Sequence, residues 1–224
     1  MLVTGAASGL GASVVTAARS AGWNAVGIDL VACPTIDHVV ADVADAIQLR
    51  AAVEALSVRA RGLDAVVTAA GVPRPRVHVD MGADEADAVA TVDVHGSAAT
   101  VRAALPFLLA SGGTVVTIAM TGGAAGFTRS LAAELSGQVG VTLVVPEGTY
   151  AGHAQGHADQ RRAGGGTPLH AASTVAAAVM HALSRPPGCE IRELVVTPSR
   201  EHVAQSLTTP SARTDDHSRP SLTS

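Results

Sequence analysis

The chain contains no lysine: all 15 of its basic residues are arginine. Any chemistry that needs a lysine ammonium, such as lowering the pKa of a neighbouring phenol, is therefore excluded. Aromatic residues are nearly as scarce, at 2% of the chain, with Tyr150 the single tyrosine. The core must then be built from Ala, Val and Leu, in a sequence that is 47% apolar. No basic run appears, and a net charge of −4 with an isoelectric point near 6.1 argues against a nucleic-acid partner. No apolar run reaches membrane-spanning length and no signal peptide precedes the first strand, so no membrane association is expected. Only two cysteines are present, Cys33 and Cys189, in unrelated contexts. That usage predicts reduced thiols in a cytoplasm rather than a disulfide.

What is present is concentrated in Leu2-Val3-Thr4-Gly5-Ala6-Ala7-Ser8-Gly9-Leu10-Gly11. A short β-branched run meets a glycine-rich turn, and an apolar helical pattern follows. Strand, loop and helix N-terminus in that order cradle a pyrophosphate, because the free N–H groups and positive end of the helix face the anion. Gly5 lets the strand turn, Gly9 lets backbone approach phosphate, and Gly11 lets the helix pack closely on the strand. Ser8 and Leu10 complete the loop. The first strand is short for a sheet centre, which leaves open a start further upstream.

Thr4-Gly5-Ala6-Ala7-Ser8-Gly9-Leu10-Gly11 resembles the cofactor loop of the short-chain dehydrogenase/reductase family, and the resemblance runs on to about Pro198. It implies a single α/β domain over residues 1–198. The expected fold is a Rossmann-like, doubly wound parallel sheet in three layers with strand order 3-2-1-4-5-6-7. Ser, Thr and Pro dominate from Ser199 to Ser224, which predicts a disordered tail. A chain of 224 residues suits one such domain.

Strand 2 is expected over Ala25–Leu30, after a helix from about Leu10 to Ala21 that stops at Gly22. It ends in Asp29, 18 residues past Gly11. An acid there can accept from the adenosine ribose hydroxyls and repels a 2′-phosphate, so the expected cofactor is NAD, with Leu30 beside it. Ser8 agrees, since NADP-preferring relatives often carry a basic residue near that position. A solvated turn aspartate is the plainer alternative. Strand 3 is expected over Val39–Val43, and Asp42-Val43 resembles the family's partner for the adenine amino group. A helix from Asp45 to about Arg61 should bury Leu49, Val53 and Leu56. Strand 4, Asp64–Gly71, resembles the family's Asn-Asn-Ala-Gly signature, with Ala69 in place of the key Asn, then Ala70 and Gly71.

The departures gather at the active site. In a long helix expected over Asp84–Leu109, Thr91-Val92-Asp93-Val94-His95-Gly96 matches the family's Val-Asn-x-x-Gly, with Asp93 replacing the Asn that kinks the helix and holds a proton-relay water. His95 is a weaker candidate, a solvated or core histidine being the default. At the end of strand 5, Thr114–Met120, Met120 stands where the resemblance implies a catalytic Ser. The Tyr-x-x-x-Lys segment is missing, and Gly126–Leu135 resembles the middle of the catalytic helix, with Phe127, Leu131 and Leu135 as its buried stripe. Strand 6, Val141–Val145, reaches Pro146-Glu147-Gly148-Thr149, close to the family's nicotinamide-contacting Pro-Gly-x-x-x-Thr but with Glu147 inserted. Residues 149–168 correspond to the substrate lid. A helix over His170–Ser184 and a strand over Ile191–Thr197 close the domain.

No catalytic residue is intact. Replacement candidates are Asp93 and Tyr150, followed by Thr121, Thr149, His95 and His153. His153, His157 and Asp159 would ligate a metal only on a helix, and the surrounding glycines argue for a loop, so no metal is expected. Three readings follow: an oxidoreductase on a small hydroxyl or carbonyl compound, an inactive NAD-binding relative acting as sensor or partner subunit, or a non-redox lyase or isomerase. The family commonly assembles through the catalytic helix and its predecessor, which implies a homo-oligomer or a mixed assembly with an intact relative.

Overall fold

The computed structural model describes residues 1–72, 82–146, 172–186 and 188–197. Seven strands form one parallel sheet in the order β3-β2-β1-β4-β5-β6-β7. They are β1 (Leu2–Thr4), β2 (Val26–Asp29), β3 (Asp37–Val40), β4 (Ala65–Thr68), β5 (Thr114–Ile118), β6 (Gly140–Pro146) and β7 (Glu193–Val196). The helices between them are α1 (Gly9–Ser20), α2 (Ala46–Ala60), α3 (Ala83–Val89), α4 (Ser97–Ser111), α5 (Gly122–Glu134) and α6 (Ala172–Leu183). The expected order of strands is the observed one.

Alternation along the strands sends their side chains to two apolar layers. Val3, Val67, Val116 and Val144 pack against Val14, Val15 and Ala18 of α1 and Val175 and Val179 of α6. Leu2, Val66, Val115 and Val141 meet Leu49, Val53 and Leu56 of α2 and Val101, Ala104 and Leu108 of α4. Trp23, Phe107 and Phe127 reach these layers only from their edges, so the buried core is aliphatic, as the composition requires.

Local chemistry sets the boundaries. Asp45 caps α2 by accepting from the N–H groups of Ile47 and Gln48. Gly22, at φ +84°, closes α1. Strand β3 lies two to three residues upstream of its expected place. Its ladder with β2 ends at Asp29–Val40, and Asp42 then turns the chain by accepting from the Ala44 N–H at 2.8 Å. Asp42 and Val43 thus sit in a loop beyond the strand.

The helix expected over Asp84–Leu109 is three segments: α3, a π-helical turn over Ala90–Gly96, and α4. Helix α5 begins at Gly122, because Thr121 caps it through Oγ1 on the Ala124 N–H at 3.1 Å. Its buried side chains are Ala124, Ala125 and Thr128, with Leu135 just beyond its end. Phe127 and Leu131 are half-buried, so the stripe expected to be buried lies on the helix's flank. Small residues let α5 sit close on Leu143 of β6.

Candidate functional site

The glycine loop leaves β1 at the point where the sheet's order reverses, between β2 and β4. Gly5, at φ +67°, donates to the Ile28 carbonyl at 2.9 Å, and a Cβ on it would lie 2.9 Å from the Ala69 carbonyl oxygen. Gly9 has φ +53°. A Cβ on Gly11 would collide with the Gly5 carbonyl. Both the turn and the seating of α1 therefore require bare backbone. Ser8 is the N-cap, its side chain makes no capping bond, and the first-turn N–H groups at Gly9, Leu10 and Gly11 have no acceptor within the helix. Bare backbone and free N–H groups at a helix N-terminus make a set of donors that suits an anion.

Asp29 ends β2 and is tied to that loop. One carboxylate oxygen accepts from the Ala7 N–H at 2.9 Å, and the other from the Val31 N–H at 3.2 Å. The acid that would meet the ribose thus already holds the loop that would meet the phosphates. Leu30 and Val31 beside it are exposed. Sequence reasoning found Asp29 but not its bond to Ala7, which depends on a turn that only the fold brings back to β2. Cys33 is buried in the same loop, and burial, then the charge of Asp29, pushes its thiol above the ordinary range.

Beyond β4, the N–H groups of Ala69 and Ala70 both donate to the Thr4 hydroxyl at 3.2 Å. Thr4 therefore supplies an anchor from β1 where Ala69 has no polar side chain of its own. Asp93 lies in the π-helical turn, 5% exposed, and one carboxylate oxygen accepts from the Val72 N–H at 3.3 Å. That oxygen is 3.2 Å from where a Cβ on Gly71 would stand, so Gly71 admits the carboxylate against the chain. The same turn abuts Val43 at Gly96 and, through Val94, Gly123 of α5; a Cβ on either glycine would fall within 3 Å of a valine methyl. His95 is exposed.

Met120, 37% exposed, follows β5 and offers no O–H or N–H. The Thr121 hydroxyl oxygen is engaged as the α5 cap. Pro146 is buried at the end of β6. Gly148, Thr149, Tyr150, His153, His157 and Asp159 lie outside the described residues, as does the segment 199–224. Among the described residues no group of three or more His, Cys, Asp or Glu could hold a metal, and no helix is long and apolar enough to cross a membrane. Between α5 and β7, Arg129 pairs through two nitrogens with Glu193, and Arg192 pairs with Glu190.

Residues 1–124 match the family model for short chain dehydrogenase. Comparison with curated proteins returns no match. Among solved structures, gox2181 superposes with a TM-score of 0.70 at 21% identity, over 87% of this chain and 93% of that one. The ligand-free aldohexose dehydrogenase of Thermoplasma acidophilum gives 0.71 at 19%, over 87% and 91%. An alcohol dehydrogenase from Thermococcus sibiricus, complexed with 5-hydroxy-NADP, gives 0.70 at 19%, over 87% and 94%.

Proposed function

This chain belongs to the short-chain dehydrogenase family, and on that premise we propose that it binds NAD(H) in preference to NADP(H) while its carbonyl chemistry runs near background. The observation that carries the cofactor choice is Asp29, whose carboxylate joins the end of β2 to the glycine loop. Among the described residues it forms no ion pair, so a 2′-phosphate would meet a carboxylate without a cation to offset it. The cradle suits such a ligand: Gly5 and Gly11 leave backbone bare, and the first turn of α1 points its N–H groups outward. Gly9, Leu10 and Gly11 would hold the pyrophosphate, Asp29 the ribose, and the Asp42-Val43 and Ala69–Gly71 backbone the flanks.

A bound nicotinamide supplies hydride, and reduction then needs a group to stabilise and protonate the alkoxide. Met120 cannot hold that oxygen. No lysine exists to depress a phenol, and Asp93 accepts from the Val72 N–H. Removing such groups from an enzyme typically costs orders of magnitude in rate. The chain then serves as an NAD(H)-binding subunit, alone or assembled with an active relative. Its free cysteines support a reducing, cytoplasmic setting. Calorimetric titration tests the reading: NADH should bind and NADPH should bind at least tenfold more weakly. Equal affinities would overturn the assignment of Asp29.

A further inference from the structure

Two hydroxyls at the centre of the sheet are buried with no hydrogen-bond partner among the described residues. Thr68 is 2% exposed and Thr117 is 0% exposed. Neither Oγ1 has a hydrogen-bond partner among the described residues. They are neighbours, paired directly across β4 and β5. They also share a face of the sheet, because Val67 and Val116, next to them in sequence, turn to the α1–α6 layer while Val66 and Val115 turn to the α2–α4 layer. Thr4 continues the row, opposite Thr68 on β1.

We propose that Thr68 and Thr117 bind one buried water molecule, which bridges β4 and β5 beneath the site. A buried hydroxyl left without a partner carries a substantial desolvation penalty, and two side by side in a native core call for a shared partner. Neighbouring strands stand about 4.8 Å apart, and a water about 2.8 Å from each of two hydroxyls so spaced makes an angle of about 120° between them, close to its preferred geometry. Each hydroxyl can donate once and accept twice, so both can bond the water whichever way its protons point. The helices over this face bury small side chains: Ser97, Thr100 and Ala104 from α4, Ala124 and Ala125 from α5.

The bridge extends the anchoring of the cofactor loop. The Thr4 hydroxyl already receives the N–H groups of Ala69 and Ala70, the two residues after Thr68. The water carries that tie one strand further, to β5, whose end brings Met120 to the site. The inference stands apart from the cofactor assignment and holds whether or not the chain turns over substrate.

A crystal structure and the isosteric variants Thr68→Val, Thr117→Val and their double test it. The crystal structure should show a water within about 3.2 Å of both hydroxyl oxygens. Each single variant should lower the melting temperature by about 2–4 °C, and the double by no more than the worse single, because the water is lost only once. Two directly bonded hydroxyls with no water between them would overturn the proposal. Single valine variants as stable as the parent would overturn it too, because unsolvated orphan hydroxyls cost nothing to replace by methyls.

Discussion

At the scale of single residues, Asp29 does two things through one carboxylate, and a substitution should expose both. Asp29→Ala removes the acceptor for the ribose and frees the Ala7 N–H that the acid holds. NADH affinity should fall by about ten- to a hundredfold, the worth of one or two hydrogen bonds to a charged group. The gap between NADH and NADPH should narrow in the same titration. An equal loss for NADH and NADPH, which leaves the gap unchanged, would mean that the acid steadies the loop without selecting the cofactor. Cysteine reactivity gives a second check. Cys189 is exposed, whereas Cys33 is buried with its thiol pushed upward. A raised pKa means less thiolate at any given pH, so alkylation near neutrality should label Cys189 first and Cys33 only on alkalisation or unfolding. Peptide mass spectrometry reads the order. The glycines and Asp29 were legible in the sequence because each answers to a steric or electrostatic need that the local pattern states. The Thr4 anchor was not, since it joins residues 65 and 66 positions apart.

At the scale of elements, α5 shows both the reach and the limit of pattern reading. Its two leading glycines are poor helix formers, yet Thr121 caps a helix that starts on them. Replacing Thr121 with Ala should cost about 1 kcal/mol, or about 2–4 °C in melting temperature. An unchanged melting temperature would mean that packing on Val94 alone sets the start. Gly11→Ala is the harsher change: the methyl meets the Gly5 carbonyl, so α1 must lift from β1. The variant should lose NADH binding even where circular dichroism shows helix retained, and an intact affinity would show that the loop can yield. The π-helical turn at Ala90–Gly96 left no trace in the periodicity, because one extra residue in a turn barely changes it, and only the resemblance at Asp93 pointed to a kink there. Strand β3 was misplaced for a related reason: Asp37 belongs to the ladder despite its charge, its side chain turned outward to Arg59 at 2.9 Å.

At the scale of the whole molecule, the seven-stranded parallel order stands among the described residues, and the proposed loss of carbonyl chemistry is open to direct assay. Alternation of strand and helix made the parallel layers legible and the resemblance of the glycine loop supplied the strand order, whereas the packing of α5 against the π-helical turn depends on residues distant in the chain. NADH with a panel of ketones should give turnover near background. A rate of order 1 per second or faster, the low end for ordinary enzymes, would reveal a replacement catalyst. Tyr150→Phe and Asp93→Asn would then identify it by which one abolishes the rate. The central place of β1 has a kinetic consequence. Its three residues alone join β2 and β3 to the other four strands. A ribosome emits β1 first, but its second neighbour, β4, emerges some sixty residues later. Until then β1 has one edge open, and the half-sheet it forms with β2 and β3 offers that edge to any extended chain nearby. During synthesis, the segment exposed to mispairing is the one that carries the cofactor loop.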